Sequence, residues 1–353
     1  MHRPELSETG ASRGRRVALL ALAFLVPLVL VAGASSGTHS GAATSTKQAT
    51  ISMALVLDDC VNPVERPLRA GAQRAAKKLG FSLKIVCPSP VTAQAQITLM
   101  QTLIAQRPKA IVILPVDSVA LVPIINQAVA AGITVATTEL DAPASKRSFF
   151  YFGGTPTLGQ GKMQANRVFA YFKKKRAKGT INYYVTSCLP TVTGQQERRR
   201  GFEQQVAKLN RSSKFKLKEI GFANTTTEPA QNLVNIQNIY TAQRSRLKVA
   251  YAMCGPDTQN WGTVLKRAKN RKVLVAGYDW LPQTLNLIGQ SWVAWSLGSS
   301  LYREGLFTFT HLYNHFAKSK RLLRGVHHGT SIFATKANLK KIRNSPDVKG
   351  AGG

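Results

Sequence analysis

Acidic residues are scarce in this chain. Sixteen Asp and Glu stand against 48 Lys and Arg, for a net charge of +32 over 353 residues. Histidine is scarcer still: there are six, and two of them, His2 and His39, fall in N-terminal segments ahead of the fold. The remaining four give no Ser-His-Asp arrangement. His311 and His315 stand four apart, as metal ligands on a helix can, but no third ligand accompanies them, and a surface or packing role accounts for them. Glycines gather in "YFGGTPTLGQGK", yet the Lys-Ser/Thr ending of a phosphate loop is missing. No reaction is assigned, and neither a cofactor nor a metal is expected: the chain reads as a non-enzyme. Aromatics make up 8% and are not interleaved with the basic clusters, which disfavours single-strand nucleic-acid binding.

Apolar residues are plentiful, at 44%. This is enough for two ordinary cores. Arg13, Arg15 and Arg16 precede the run "VALLALAFLVPLVLVAGA", which ends in Ala32-Gly33-Ala34. A basic start, an apolar centre and a small-residue end read as an export signal over 1–34, with an uncleaved anchor as the alternative. No Cys follows the run, which argues against a lipid-modified terminus. Residues 35–49 are rich in Ser, Thr, Gly and Ala and read as a flexible linker. The fold is therefore expected to begin near Ile51, in the periplasm or on the extracellular face of the cell envelope.

Residues 1–34 carry four basic and two acidic groups, so +30 remains without them. The basic residues cluster in "KKKRAK" (173–178), "RRR" (198–200) and "KRAKNRK" (266–272), and eight Lys and Arg with no acid lie between Glu304 and Asp347. Two readings stand: weak attraction to an anionic wall polymer or lipid surface, or a solvated face at helix ends and loops. No specific nucleic acid is expected.

From Ile51 strands and helices alternate. Short apolar runs at 51–57, 82–87, 110–115 and 133–138 read as buried parallel strands. Asn62-Pro63 reads as a helix start, with Val64, Leu68, Ala72, Ala75 and Leu79 on one face and Gly80 as the stop. The alternation restarts with strands at 181–187, 215–222, 248–253 and 272–278, and helices at about 194–209, 229–243 and 258–268. The pattern implies two similar doubly wound parallel-sheet lobes, α/β in class. Ligands bind at the carboxyl ends of such strands, so two facing lobes enclose one cleft.

"VLVAGYDWLP" ends such a strand with Tyr278 and Asp279. A carboxylate accepts hydrogen bonds from neighbouring hydroxyls, and a ring offers a flat apolar face to a sugar. The alternative is an Asp that caps the helix beginning at "DWLP".

The segments "VNPVERPLRAGAQRAAKKLG", "AIVILPVDSVALVPIINQAVAAGITV", "GQQERRRGF" and "VAGYDWLPQTL", in this order, resemble the ribose- and galactose-type periplasmic binding proteins. These share their type I fold with the ligand domains of lactose-repressor-like regulators. The resemblance spans roughly 50–340. It implies that Arg198 and Asp279 contact the ligand, with Tyr278 as aromatic partner, Glu139 as a second acid and Ser299 as the polar residue of the last crossing between lobes. Asn62, in the Asn-Pro pair, and Glu65, three residues on, belong to the same candidate ligand set. Departures are marked. Val64 and Glu65 stand where sugar binders often place rings, Thr227 where a third ring often sits, Leu114 and the Cys254-Gly255-Pro256 stretch where strand-end Asn is usual, and Leu140 where Arg is usual. The aromatic sandwich is thus largely absent unless Trp261, Trp280, Trp292 or Trp295 rebuilds it. Glu65, Glu139 and Asp279, joined by Asp58 and Asp59 unless those two only make loop turns, favour a polyol or a ligand bearing an amine.

What the resemblance implies for function is a monomeric solute-binding protein that closes on a small polar ligand, sugar or polyol-like, and hands it to an ABC-type permease. A receptor subunit for chemotaxis or signalling and a polyanion-binding surface protein are the alternatives. A transcription regulator would need a helix-turn-helix where the apolar run stands. The expected lobes are 50–155 with 300–327, and 156–299 with 328–345, joined by a three-crossing hinge in which Ser299 lies, and 346–353 is expected as a disordered tail. In a sheet ordered 2-1-3, Cys60 and Cys87 end neighbouring strands, as do Cys188 and Cys254 in the second lobe, so these are the candidate disulfides. Four reduced thiols are the alternative.

Overall fold

The structure, a computed structural model, describes residues 51–349. The expected export signal, linker and last four residues lie outside these. Two six-stranded sheets form the frame. The first holds β1 (Ser52–Val56), β2 (Ser82–Val86), β3 (Ala110–Ile113), β4 (Thr134–Thr138), β5 (Phe149–Phe152) and β11 (Gly325–His328), in the order β2-β1-β3-β4-β5-β11, all parallel. The second holds β6 (Gly179–Ser187), β7 (Phe215–Asn224), β8 (Val249–Ala252), β9 (Leu274–Tyr278), β10 (Trp295–Gly298) and β12 (Ile332–Ala334), in the order β7-β6-β8-β9-β10-β12. Only β12 runs antiparallel to its neighbour. This is the bilobal architecture of the type I fold: each central strand is buried on both faces, as β1 and β3 show with Leu55, Val56 and Ile111 to Ile113.

Helices cover both faces of each sheet. α1 (Arg66–Leu79) follows a single 3₁₀ turn, Pro63–Glu65, which Asn62 caps by accepting from the Val64 amide at 3.2 Å. Gly80 ends the helix at φ +75°, a conformation that costs glycine little. α2 (Ala93–Gln106) carries a buried Gln96 that clamps the ends of two strands: its amide donates to the carbonyls of Leu57 and Leu114 and accepts from the Val116 amide. α3 (Val122–Ala130) completes that face. In the second lobe α4 (Thr157–Lys174) and α5 (Thr193–Ser212) pack together, and α6 (Pro229–Gln243), α7 (Gly255–Arg267) and α8 (Pro282–Gly289) cover the rest. α9 (Leu301–Lys318) returns to the first lobe and lies on α1.

Three crossings join the lobes, after β5, after β10 and after β11. The last differs in detail from expectation. His328 still pairs with Phe152 in the first sheet, so the crossing begins at Gly329. For residues 346–349 the expected disordered tail is also corrected. After α10 (Leu339–Arg343), residues Pro346–Lys349 form α11, and Asp347 accepts from the Tyr302 amide at 3.0 Å, capping α9. Disulfides join Cys60 to Cys87 and Cys188 to Cys254, with Cα atoms 5.6 and 6.2 Å apart, and each lies within one lobe. No helix among the described residues is long and apolar enough to cross a membrane.

Candidate functional site

A cavity of about 60 Å³ lies between the lobes at the carboxyl ends of their strands. Asp58 reaches it two residues after β1, Glu139 one residue after β4 and Asp279 one residue after β9. Asn62 and Glu65 enter from the 3₁₀ turn, and Arg198 from the second turn of α5. The apolar wall comprises Val64, Leu114, Leu140, Phe152, Leu189 and Val192.

Glu139 and Asp279 are counterparts. Each directly follows the fourth strand of its lobe, and each has left-handed backbone, at φ 55° and 68°. That conformation is uncommon for residues other than glycine and costs on the order of 1–2 kcal/mol. The surroundings hold both in place. The Glu139 amide donates to Glu304 Oε1 at 3.0 Å, and the Asp279 amide donates to the Leu297 carbonyl at 2.8 Å. Each lobe thus presents an acid from the end of its fourth strand to the same space.

Arg198 is fixed by its neighbours. Its Nε donates to Gln160 Oε1 at 2.9 Å and its Nη1 to the Met253 carbonyl at 3.0 Å. The guanidinium lies 4.4 Å from the centroid of the Tyr278 ring. This corrects the expected role of Tyr278, which is fully buried beneath Arg198, hydrogen-bonded to the Tyr251 hydroxyl at 3.0 Å, and does not line the cavity. Ser299 is likewise displaced from the cavity. It joins the hinge, with its hydroxyl 2.9 Å from that of Ser331, and borders a neighbouring cavity of about 180 Å³ with Trp280 and Asp279. None of the four tryptophans lines the acidic cavity. Trp261 is buried in the second lobe with its indole donating to Thr186, Trp295 donates to Gln164, and Trp292 lies against Arg271.

Asp58 and Asp59 divide their tasks. Asp58 faces the cavity, whereas Asp59 accepts from the Val61 amide as a turn residue does and also from the Thr227 hydroxyl of the other lobe, at 2.7 Å each. A second latch is formed where the Thr193 amide donates to the Val116 carbonyl at 3.1 Å. Sequence reasoning assigned neither latch, because each pairs residues far apart in the chain. His311 and His315 serve local packing: His311 Nε2 accepts from the Leu323 amide at 2.9 Å, and the His315 ring contacts the Lys320 carbonyl.

The acids repel one another's charge. Burial, then Asp59, pushes the Asp58 carboxyl up to about 7, with Arg198 acting in the opposite direction. Glu65 is raised well above the usual range by burial, then by Glu139, Asp58 and Asp279. Glu139 is raised by burial, then by Glu304, Asp58 and Asp279. Asp279 is raised by burial, while Arg198 and the Gly255 amide hold it down. Behind them Glu304, donated to by Thr138 and by the Gly153 and Glu139 amides, is pushed up to about 7 by burial. Buried and crowded in this way, the carboxyls favour their protonated form, and a cation placed among them would favour the ionised one.

Residues 53–320 match the family described as a periplasmic binding protein domain. The ribose import binding protein RbsB of Escherichia coli is 27% identical over 248 residues, covering 69% of this chain and 77% of that protein. Among solved structures, a carbohydrate transporter solute-binding protein from Agrobacterium radiobacter in complex with D-arabinose superposes with a TM-score of 0.73 at 22% identity, covering 86% of this chain and 99% of that one. The Caulobacter myo-inositol binding protein bound to myo-inositol gives 0.71 at 19% identity, covering 82% and 95%. At these identities the structural likeness is one of fold.

Proposed function

Because the chain belongs to the periplasmic binding protein family, we propose that it is an exported receptor that captures a small polar ligand, sugar or polyol-like, between its lobes and delivers it to an ABC-type permease. The observation that carries this reading is the pair Glu139 and Asp279, counterparts from the two lobes that border one cavity beside Arg198. A ligand that bonds both acids at once gains only when the lobes are together, so it shifts the population toward the closed form by its differential affinity. The permease reads that closed form. The relatives named for ribose, arabinose and myo-inositol support the choice of small hydroxylated ligands. With Phe152 as the one ring on the cavity wall among the described residues, recognition rests on hydrogen bonds more than on stacking.

Thermal-shift and calorimetric titration with pentoses, hexoses, cyclitols and their amino derivatives tests the reading. At least one compound is expected to bind saturably. Asp279→Ala should weaken that binding by about 1.5–3 kcal/mol, the worth of hydrogen bonds to a charged group, with the fold retained. Wild-type affinity in the variant, or no binding by any compound, contradicts it.

A further inference from the structure

The cavity holds far more acid than its single cation can balance. Asp58, Glu65, Glu139 and Asp279 line it, with Arg198 as the one basic side chain among its lining residues. Arg198 does not neutralise them: none of the four acids forms an ion pair within 4.0 Å among the described residues, and the guanidinium is committed to Gln160, the Met253 carbonyl and the Tyr278 ring. Two of the acids are almost wholly buried, Asp58 at 5% exposure and Glu65 at 2%. Asp58 Oδ1 has no hydrogen-bond partner, and the Glu65 carboxyl finds only another acid, Glu139. A buried carboxylate without a partner is costly, and the cost is retained only where something else offsets it. The imbalance is all the more pointed in a chain with 16 acids in total, four of which face this one cavity.

We propose that the ligand carries a protonated amine, an amino-polyol or amino sugar, whose ammonium group sits among Glu65, Glu139 and Asp58 while its hydroxyls bond Asp279 and Arg198. This rests on the solute-binding reading above and names the ligand class within it. An ammonium has three donors and a point charge, which suit carboxylate oxygens offered together by the strand ends and 3₁₀ turn of the first lobe, while Asp279 and Arg198 of the second lobe face the hydroxyls. A neutral sugar supplies donors but no charge, so three negative charges would stay unbalanced or be quenched by protons. The apolar wall from Val64, Leu140, Phe152 and Leu189 takes the carbon skeleton. The groups facing Glu65 are Glu139, Asp58 and Asp279, with Arg198 the only facing cation. Binding of an ammonium therefore expels protons from these carboxyls into solvent, and amine affinity rises with pH between 5 and 7, below the titration of the amine itself.

Titration calorimetry on the full chain, with probes matched except at one group, tests this. The pairs are D-glucosamine and D-glucose, D-galactosamine and D-galactose, and 1-amino-1-deoxysorbitol and sorbitol, with N-acetylglucosamine as a neutral control. At pH 6.5, where the amines are protonated, at least one amine is expected to bind tenfold or more tighter than its hydroxyl partner, with proton release seen as a heat that changes with buffer ionisation enthalpy. Glu65→Gln is expected to cut that preference tenfold or more. Equal or tighter binding of the hydroxyl partners overturns the amine assignment and leaves the solute-binding reading standing. Binding of none of the probes, neutral or charged, counts against both. Should Glu65→Gln fail to fold, the wild-type comparison of matched pairs decides alone.

Discussion

At the scale of single residues, the cavity acids tie ligand chemistry to stability. A carboxyl whose pKa is higher in the folded state binds more protons folded than unfolded between its two pKa values. Stability then falls as pH rises through that window, the reverse of the behaviour of a salt-bridged acid. For Asp58 the window runs from 3.8 to about 7, and for Glu304 from 4.5 to about 7. Glu65 shifts in the same direction. The unliganded protein is thus expected to lose stability between pH 5 and pH 8. Glu65→Gln removes one such group and relieves its neighbours, so its loss over that range should be smaller by on the order of 1 kcal/mol or more. Urea melts of both proteins at the two pH values measure it, and parallel losses contradict it. The position of Asp279 was legible because an acid directly after a buried apolar run is conspicuous in so basic a chain, whereas Glu139 was reached only through the family resemblance. The orientation of Tyr278 was not, because it depends on which neighbour claims the strand's other face, and Arg198 claims it from a helix 80 residues away.

At the scale of elements, one helix crossing sets the position of Arg198. α4 and α5 meet at reciprocal glycines: a Cβ at Gly161 would stand 2.1 Å from the Arg198 carbonyl, and one at Gly201 would stand 2.1 Å from the Leu158 carbonyl. The backbones therefore touch, and Gln160, one residue before Gly161, can reach the guanidinium. Gly161→Ala should push α5 away, at about 1–3 kcal/mol for overpacking, and should weaken ligand binding by about tenfold as Arg198 leaves its seat. A loss of stability with unchanged affinity would separate the crossing from the site. The central strands and most helices were legible from their apolar runs and periodicity. Sequence reasoning did not assign β5, β10, β11 and β12, which are three or four residues long. Length alone is not the reason, since β3 and β8 are as short and stood out as apolar runs; "WSLG" and "GVHH" mix polar and glycine residues and become strands because a neighbouring edge accepts their backbone.

At the scale of the whole molecule, the proposed ligand contact and the hinge share side chains. Gln160 accepts from Arg198 while its amide nitrogen donates to Ser331 on the last crossing at 3.0 Å, and Ser331 also accepts from the Thr155 amide on the first at 2.9 Å. The middle crossing joins through Ser299, and the Ser300 amide donates to the Gly153 carbonyl at 3.2 Å. Opposite this hinge, the Asp59–Thr227 bond ties the lobes across the cleft. That bond exists only when the lobes meet, so it contributes to closure and not to the stability of either lobe. Thr227→Val keeps the shape and removes the hydroxyl. A net hydrogen bond is worth about 0.5–1.5 kcal/mol, so ligand affinity should fall about two- to tenfold, mostly through faster dissociation. The melting temperature of an unliganded protein that populates the open form should stay unchanged, because the bond is already absent there. Stopped-flow ligand release and unliganded thermal melts read the two quantities separately. A melting temperature lowered in proportion to the affinity would mean that Asp59 and Thr227 belong to one rigid body, and that closure is fastened elsewhere.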